Sequence, residues 1–427
     1  MSLYASLSPE GRTLVDAAVE HLLGGYDPAT GLVTEVLEGH PYRSVRNSMY
    51  LALGLLIRED SDCDTVSDRI CRAVLDLQID APGEIYHGVF RHPDESVPPK
   101  GLFPVEQVSP MTRYMADVTW EHITSAFDRE LLESGDPALA GRAGDIAAAL
   151  RRALLHTVPV AWATYEPNLR EFIGMTFSML LEHFDAHLSS DLRARILRAC
   201  RLLVQGAMDR VRRDLTPLNT NIRIMYVFLL DDLGRRLGEP AWQAEALREG
   251  RALAEDYRLD HACAEFNSPT YGGVDLSTLG FIRKYSRCAE LVDLAGELED
   301  GIWRDMADFY NPAMRAFSGP YSRCYELDMS IHTCFYDILY LGLGEDRFPF
   351  HPFSIESVIN PLTVLGDIRI PEDVAARFLQ PPRPHQVTRV FRELSERGEP
   401  GANRARCTAT AWIAPDFMVG ALSGSEN

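Results

Sequence analysis

The chain has 427 residues, with 62 acidic against 42 basic side chains and a formal charge of −20. Lys100 and Lys284 are its two lysines, so the basic side is almost wholly arginine. A body this acidic is repelled by nucleic acid and by anionic membrane surfaces, which excludes both as default partners. With 46% hydrophobic and 24% charged residues it has the composition of a folded globular protein.

At the start, Met1–Glu10 lacks the basic-then-apolar pattern of a secretory leader. No run approaches the roughly 18 apolar residues of a membrane span. The eight cysteines are scattered, with no C-x-x-C pair, and fit buried thiols in a reducing compartment. The expectation is a cytoplasmic protein needing neither metal nor cofactor.

The first helical pattern runs over 10–23. Beyond it, X-Pro steps fall at Pro41, Pro110, Pro167, Pro217, Pro269 and Pro320, and the last four are spaced 50, 52 and 51 residues apart. Proline is favoured at the first helical position, where its missing N–H costs nothing. Ser109, Thr216 and Ser268 supply capping oxygens just ahead of three of them. Each step opens a helical pattern, and a second one returns: 168–186 is followed by 192–211, and 218–237 by 241–257. Six such helical hairpins make an all-α chain, an (α/α)6 toroid over 1–350. The last hairpin has one helix, reaching about Leu341, and the 10–23 helix is placed to fill the twelfth position. Residues 351–427 form a Pro-rich extension with a short helix at 371–378. It closes on a β-hairpin formed by 406–412 and 417–421.

Parallel inner helices would bring six N-termini to one rim, where free N–H groups and dipoles favour anions. The first turns after the prolines are polar and aromatic. They supply Tyr42, Arg43 and Arg46; Arg113 and Tyr114; Tyr165, Asn168, Arg170 and Glu171; Asn221 and Arg223; Glu265, Asn267 and Tyr271; and Arg323, Tyr325, Glu326 and Asp328. The rim arginines are expected to hold a substrate carboxylate. Two loops feed the same rim. One, over 79–109, carries Tyr86-His87-Gly88-Val89-Phe90 and is expected to be ordered there; the other leads through Glu265 and Asn267 into Gly272-Gly273. The paired glycines imply close approach of a ligand or of another helix. Asp231-Asp232 lacks the spacing of a diphosphate–magnesium motif and is expected on a helix surface.

Four strings carry a resemblance: 86–90 (Tyr86-His-Gly-Val-Phe90), 165–174 (Tyr165-Glu-Pro-Asn-Leu-Arg-Glu-Phe-Ile-Gly174), 265–275 (Glu265-Phe-Asn-Ser-Pro-Thr-Tyr-Gly-Gly-Val-Asp275) and 319–329 (Gly319-Pro-Tyr-Ser-Arg-Cys-Tyr-Glu-Leu-Asp-Met329). Together they resemble toroid enzymes of the alginate-lyase and heparinase type, and more loosely rhamnose–glucuronate lyases. The resemblance implies β-elimination at a uronate, with proton abstraction at C5 and departure of the C4 oxygen. It implies Asn168, Asn221, Asn267 and Arg323 as neutralisers of the uronate carboxylate, with His87 as base and Tyr271 as acid, or the reverse. Arg46, Tyr165, Tyr325 and Asp328 complete the expected binding surface for a small-molecule or oligosaccharide substrate. Three positions depart from the family pattern, Leu169, Gly272 and Glu326, and residues 351–427 are too short to hold the large β-sandwich that follows the toroid in that family.

Other chemistries fit the same rim. Glu265 with Asp328 or Glu326 would suit glycoside hydrolysis. An isoprenoid dehydratase or cyclase would use the aromatic walls Tyr42, Tyr114, Trp120, Tyr165 and Tyr325. A solenoid-like binding scaffold is the non-enzymatic alternative. There is no phosphate-binding glycine loop, nucleophile elbow or H-E-x-x-H motif.

Overall fold

The computed structural model describes residues 2–37, 40–84, 86–93, 166–213, 219–322, 324, 333–350, 360–392 and 406–424, with short pieces between 124 and 150. The chain is mostly helical and carries a small three-stranded sheet near its C-terminal end. Among the described residues no helix is long and apolar enough to cross a membrane.

Helices α1 (Leu3–Ser6) and α2 (Pro9–Gly24) come first, α2 with Pro9 at its first position and Ser8 Oγ capping Gly11 N–H. An antiparallel sheet follows, of β1 (Tyr26–Asp27), β2 (Leu32–Leu37) and β3 (His40–Ser44). Pro41 therefore lies in a strand, opposite Val36, and not at a helix start. Because β3 pairs with β2 alone, it is an edge strand, where a residue without an N–H is tolerated. Helix α3 (Val45–Arg58) begins four residues later, capped by Ser44 Oγ on Asn47 N–H, and α4 (Cys63–Leu75) returns from it.

Three hairpins then follow in series. Helix α5 (Leu169–His183) pairs with α6 (Ser190–Arg213), α7 (Thr220–Leu237) with α8 (Pro240–Asp260), and α9 (Gly272–Tyr285) with α10 (Ala289–Phe309). Each starts two or three residues beyond its expected proline, and Pro240 opens a returning helix instead. Burial sorts them into two layers. Between Thr220 and Gly234 in α7 only Arg223 is not buried, so that helix is enclosed all round. In α8 the buried residues Trp242, Ala246, Gly250, Leu253, Ala254 and Tyr257 form one stripe, which marks an outer helix. By the same measure α3, α5 and α9 are inner and α4 and α10 outer. The inner helices pack in sequence, α3 on α5, α5 on α7, α7 on α9, and α9 on α11 (Thr333–Leu343). Helix α2 touches both α3 and α11. Of the helix expected after Pro320, α11 (Thr333–Leu343) is the described part, and β4 (Tyr310–Asn311) and β5 (Ala316–Phe317) precede that proline.

The extension contains the short helix α12 (Glu372–Ala375) and three antiparallel strands, β6 (His385–Arg392), β7 (Arg406–Ala414) and β8 (Phe417–Ser423). The expected hairpin is β7–β8, in register Trp412↔Val419, and β6 adds a strand that the sequence pattern did not announce. This sheet leans on the helical body. Phe391 stacks on Phe266 with centroids 4.5 Å apart, and Asn311 Nδ2 donates to Ala414 O at 2.8 Å. Arg392 and Arg406 both bind Asp260 at the end of α8.

Candidate functional site

The short connections within and between the three consecutive hairpins reverse the chain each time, so α5, α7 and α9 share a direction. Side chains tie their N-terminal ends together. The Arg46 guanidinium lies 5.1 Å above the Phe172 ring, joining α3 to α5. Asn168 Oδ1, at the start of α5, accepts from Arg210 Nη1 at 2.8 Å. Asn221 N–H, in the first turn of α7, donates to Glu265 Oε2 at 3.0 Å, which anchors the loop ahead of α9. Ser322 N–H donates to Phe266 O at 2.9 Å, bringing the segment before α11 to the same loop.

At the centre of these ties are two buried carboxyls. Glu265 caps the N-terminus of α7, where the free N–H groups and helix dipole favour its anion. Asp275, in the first turn of α9, is 1% exposed and its Oδ1 has no hydrogen-bond partner. Burial first, and then the charge of Glu265, push the Asp275 carboxyl well above the ordinary carboxylate range. The arrangement favours the neutral form of Asp275 beside Glu265. Asp275 was passed over in the sequence; its one signal is an acid set between Val274 and Leu276 in an otherwise apolar stretch.

Asn221 and Asn267 are also buried, and the side-chain oxygen of each is without a partner. Asn267 adopts φ 50°, a left-handed conformation that asparagine tolerates better than most residues, and its amide nitrogen donates to Ser318 O and Pro320 O at 2.8 and 3.1 Å. Tyr271 is half-buried at the N-cap of α9, its N–H held by Ser268 Oγ at 3.0 Å. Close approach at the paired glycines is a helix contact: a Cβ on Gly272 would lie 2.4 Å from Met306 Sδ of α10.

His87 occupies a different wall. The 79–90 loop is ordered as expected, with Ile79 N–H on Val89 O and Gly88 N–H on Ile79 O, both at 2.8 Å. It nests on α6, where a Cβ on Gly206 would lie 1.9 Å from His87 O. The ring is buried, and Nδ1 accepts from Ala81 N–H at 3.1 Å, which leaves the neutral ring's proton on Nε2. It lines a hollow of about 540 Å³ together with Pro82, Gln205, Met208, Asp209, Arg212 and Trp242 among others. Neither Tyr271 nor Asn267 nor Glu265 lines that hollow, so His87 and Tyr271 are not brought together there.

Two rim arginines are engaged inside the protein. Arg170 is fully buried, and its Nε donates to His87 O at 2.9 Å; Arg223 pairs with Asp256 at 2.5 Å on the outer helix α8. The Asp231-Asp232 pair is buried and not on a helix surface, because Ser178, Arg235 and Arg236 all bind Asp232. Tyr165, Arg323, Tyr325, Glu326 and Asp328, like Arg113, Tyr114 and Trp120, lie outside the described residues. Among the described residues no group of three or more His, Cys, Asp or Glu side chains could hold a metal ion.

Residues 155–351 match a family described as a domain of unknown function, DUF8769. That span contains Asn168, Asn221, Glu265, Asn267, Tyr271 and Asp275, whereas Arg46 and His87 fall outside it. No curated protein and no solved structure matches the chain.

Proposed function

We propose that the chain is an acid–base lyase that cleaves a uronate-bearing oligosaccharide by β-elimination at the N-terminal end of its inner helices. The observation that carries this reading is the buried carboxyl pair, with Glu265 held on α7 and beside it Asp275, whose carboxyl burial pushes well above the ordinary range. The C5 proton of a uronate becomes acidic only when the neighbouring carboxylate is neutralised. A neutral Asp275 carboxyl supports that role by donating a hydrogen bond, and the Asn221 amide and the α7 N-terminus add further positive potential. Tyr271 takes the C5 proton. As the C4–O bond breaks, its electron pair stays on the departing oxygen, to which Tyr271 returns a proton. His87, on the α6 wall, stays outside this transfer.

For the architecture, the two-layer arrangement and the double contact of α2 support an (α/α)6 toroid closed by that helix. Its place of work, in this reading, is the cytoplasm, on imported oligosaccharides. Hydrolysis is the second reading, favoured by the same two carboxyls. Asp275 as acid and Glu265 as base would then replace the pairings of Glu265 with Asp328 or Glu326.

The test is incubation with a panel of uronate oligosaccharides, followed in the near ultraviolet for a 4,5-unsaturated product. Tyr271→Phe and Asp275→Asn should each lower kcat by roughly a hundredfold or more with thermal melting unchanged. New reducing ends without absorbance would select hydrolysis, and neither signal across the panel would overturn both readings.

A further inference from the structure

The hollow of about 540 Å³ between α6, α8 and the 79–90 loop is lined by neither Glu265 nor Asp275, and the lyase reading leaves it unused. Its volume falls within the range of small-ligand pockets, about 300–1,000 Å³. Its long wall is one stripe of α6, Leu202, Gln205, Asp209 and Arg212, spaced three, four and three residues apart. Trp242, from the first turn of α8, and Met208 add an aromatic ring and a thioether. Arg201, which also binds Glu239, lies 5.9 Å from the centre of the Trp242 ring and fixes it.

His87 lines the hollow from the loop side and is held from several directions. Gly88 adopts φ 77°, and a Cβ there would lie 2.3 Å from Leu202 O, so the loop backbone rests directly on α6. Gln78 Nε2 stitches the two together, donating to Gly88 O at 3.2 Å and to Ala199 O at 3.0 Å. The fully buried Arg170 holds the His87 carbonyl. On the ring, Nδ1 accepts from Ala81 N–H, while Asp80 Oδ1, at 3.9 Å, is beyond hydrogen-bond reach. An Nδ1 that accepts belongs to a neutral imidazole, whose one proton is on Nε2. His87 is 3% exposed, and its Nε2 has no acceptor among the described residues. A donor so buried and so firmly held, at the wall of a ligand-sized hollow, is matched by an acceptor on a ligand.

The lining also selects the kind of ligand. Among the described residues its charged members are Asp209 and Arg212, 3.6 Å apart and one turn apart on α6, so its formal charge sums to zero. An anion would meet Asp209 and a cation Arg212, and neither finds a surplus of the opposite sign. What remains is a mixed set of hydrogen-bonding groups beside an indole and a thioether, both of which favour the flat face of an aromatic ring. We infer that the hollow binds an uncharged nitrogen heterocycle of the nucleobase kind. His87 Nε2–H gives to a ring acceptor, Asp209 takes from an amino group, and Trp242 stacks on the face. A nucleoside, having no phosphate, also escapes repulsion by a chain of charge −20.

Calorimetric titration of the full chain with adenosine, guanosine, cytidine and uridine tests this, beside their 5′-monophosphates and methyl glucoside. At least one nucleoside should bind, methyl glucoside should not, and no monophosphate should bind more tightly than its nucleoside. His87→Asn, whose amide oxygen can still take the Ala81 N–H but which lacks the Nε2 proton, should weaken the bound nucleoside about tenfold. Trp242→Ala should weaken it about fivefold or more. Asp209→Asn, at a partly exposed position, leaves Arg212 uncompensated and should turn the preference toward the monophosphate. Binding of none of the four nucleosides, equal binding of the glucoside, a monophosphate that outbinds its nucleoside in wild type, or wild-type affinity in His87→Asn would overturn the inference. Should His87→Asn or Trp242→Ala fail to fold, Asp209→Asn still decides, an unchanged preference counting against the site. Nucleoside binding and the uronate panel are independent, since neither Tyr271 nor Asp275 lines the hollow.

Discussion

Asp337 isolates what burial alone does to an acid in this protein. It lies on α11, 5% exposed, and desolvation by itself pushes its carboxyl up to about 8. An unfolded chain releases that proton near pH ~3.9. Between those values the native state holds a proton the unfolded state has lost, so stability falls as pH rises through the window. Asp337→Asn cannot ionise. It should match wild type near pH ~4 and melt several degrees higher near pH ~9, measured by circular dichroism; equal melting at both ends would refute the assignment. The residue scale also shows what a sequence conceals. Glu265, Asn221 and Asn267 were legible because polar side chains stood where inner helices were expected to begin. Asp275 was not, since its raised carboxyl depends first on burial and then on a neighbour ten positions away. Arg170 was misplaced because an arginine in a first turn looks alike whether it greets a ligand or, as here, braces His87 O.

Elements were legible where spacing repeats. Five helical patterns in residues 168–257 and 10–23 lie within a few positions of α2, α5, α6, α7 and α8. Proline was a poorer guide to their starts: it is favoured at a first helical position but is equally at home on the edge strand β3. The sheet over 26–44 escaped because its strands are short and one contains that proline. Contact between elements gives a second prediction. The backbone of the 79–90 loop approaches α6 so closely at Gly206 that any side chain there meets His87 O and Arg170 Nε. Gly206→Ala should therefore destabilise the fold by about 1–3 kcal/mol and raise hydrogen exchange in the 79–90 loop. Unchanged exchange there would show that the contact is looser than described.

For the whole molecule, the C-terminal sheet matters more than its size suggests. Phe391 stacks on Phe266, the residue between Glu265 and Asn267, at an interplanar angle of 10°. Asp260, a carboxylate at the end of α8 where the helix dipole disfavours it, is offset by Arg392 and Arg406 from two strands of the sheet. Phe391→Ala should cost about 3–5 kcal/mol and loosen loop 261–271, read as faster hydrogen exchange there. If exchange accelerates only in β6–β8, the sheet is a passive appendage. Alternation along the strands announces the hairpin but not this duty, because the stacking partners stand far apart along the chain.

That stacking also sets an order of events during synthesis. At ribosomal speed Phe391 is made on the order of ten seconds after Phe266, so the nascent helices must wait with loop 261–271 unbraced. Chaperone demand and vulnerability to proteases should be greatest in that interval, and a message truncated before β6 would yield a helical body whose loop 261–271 never sets.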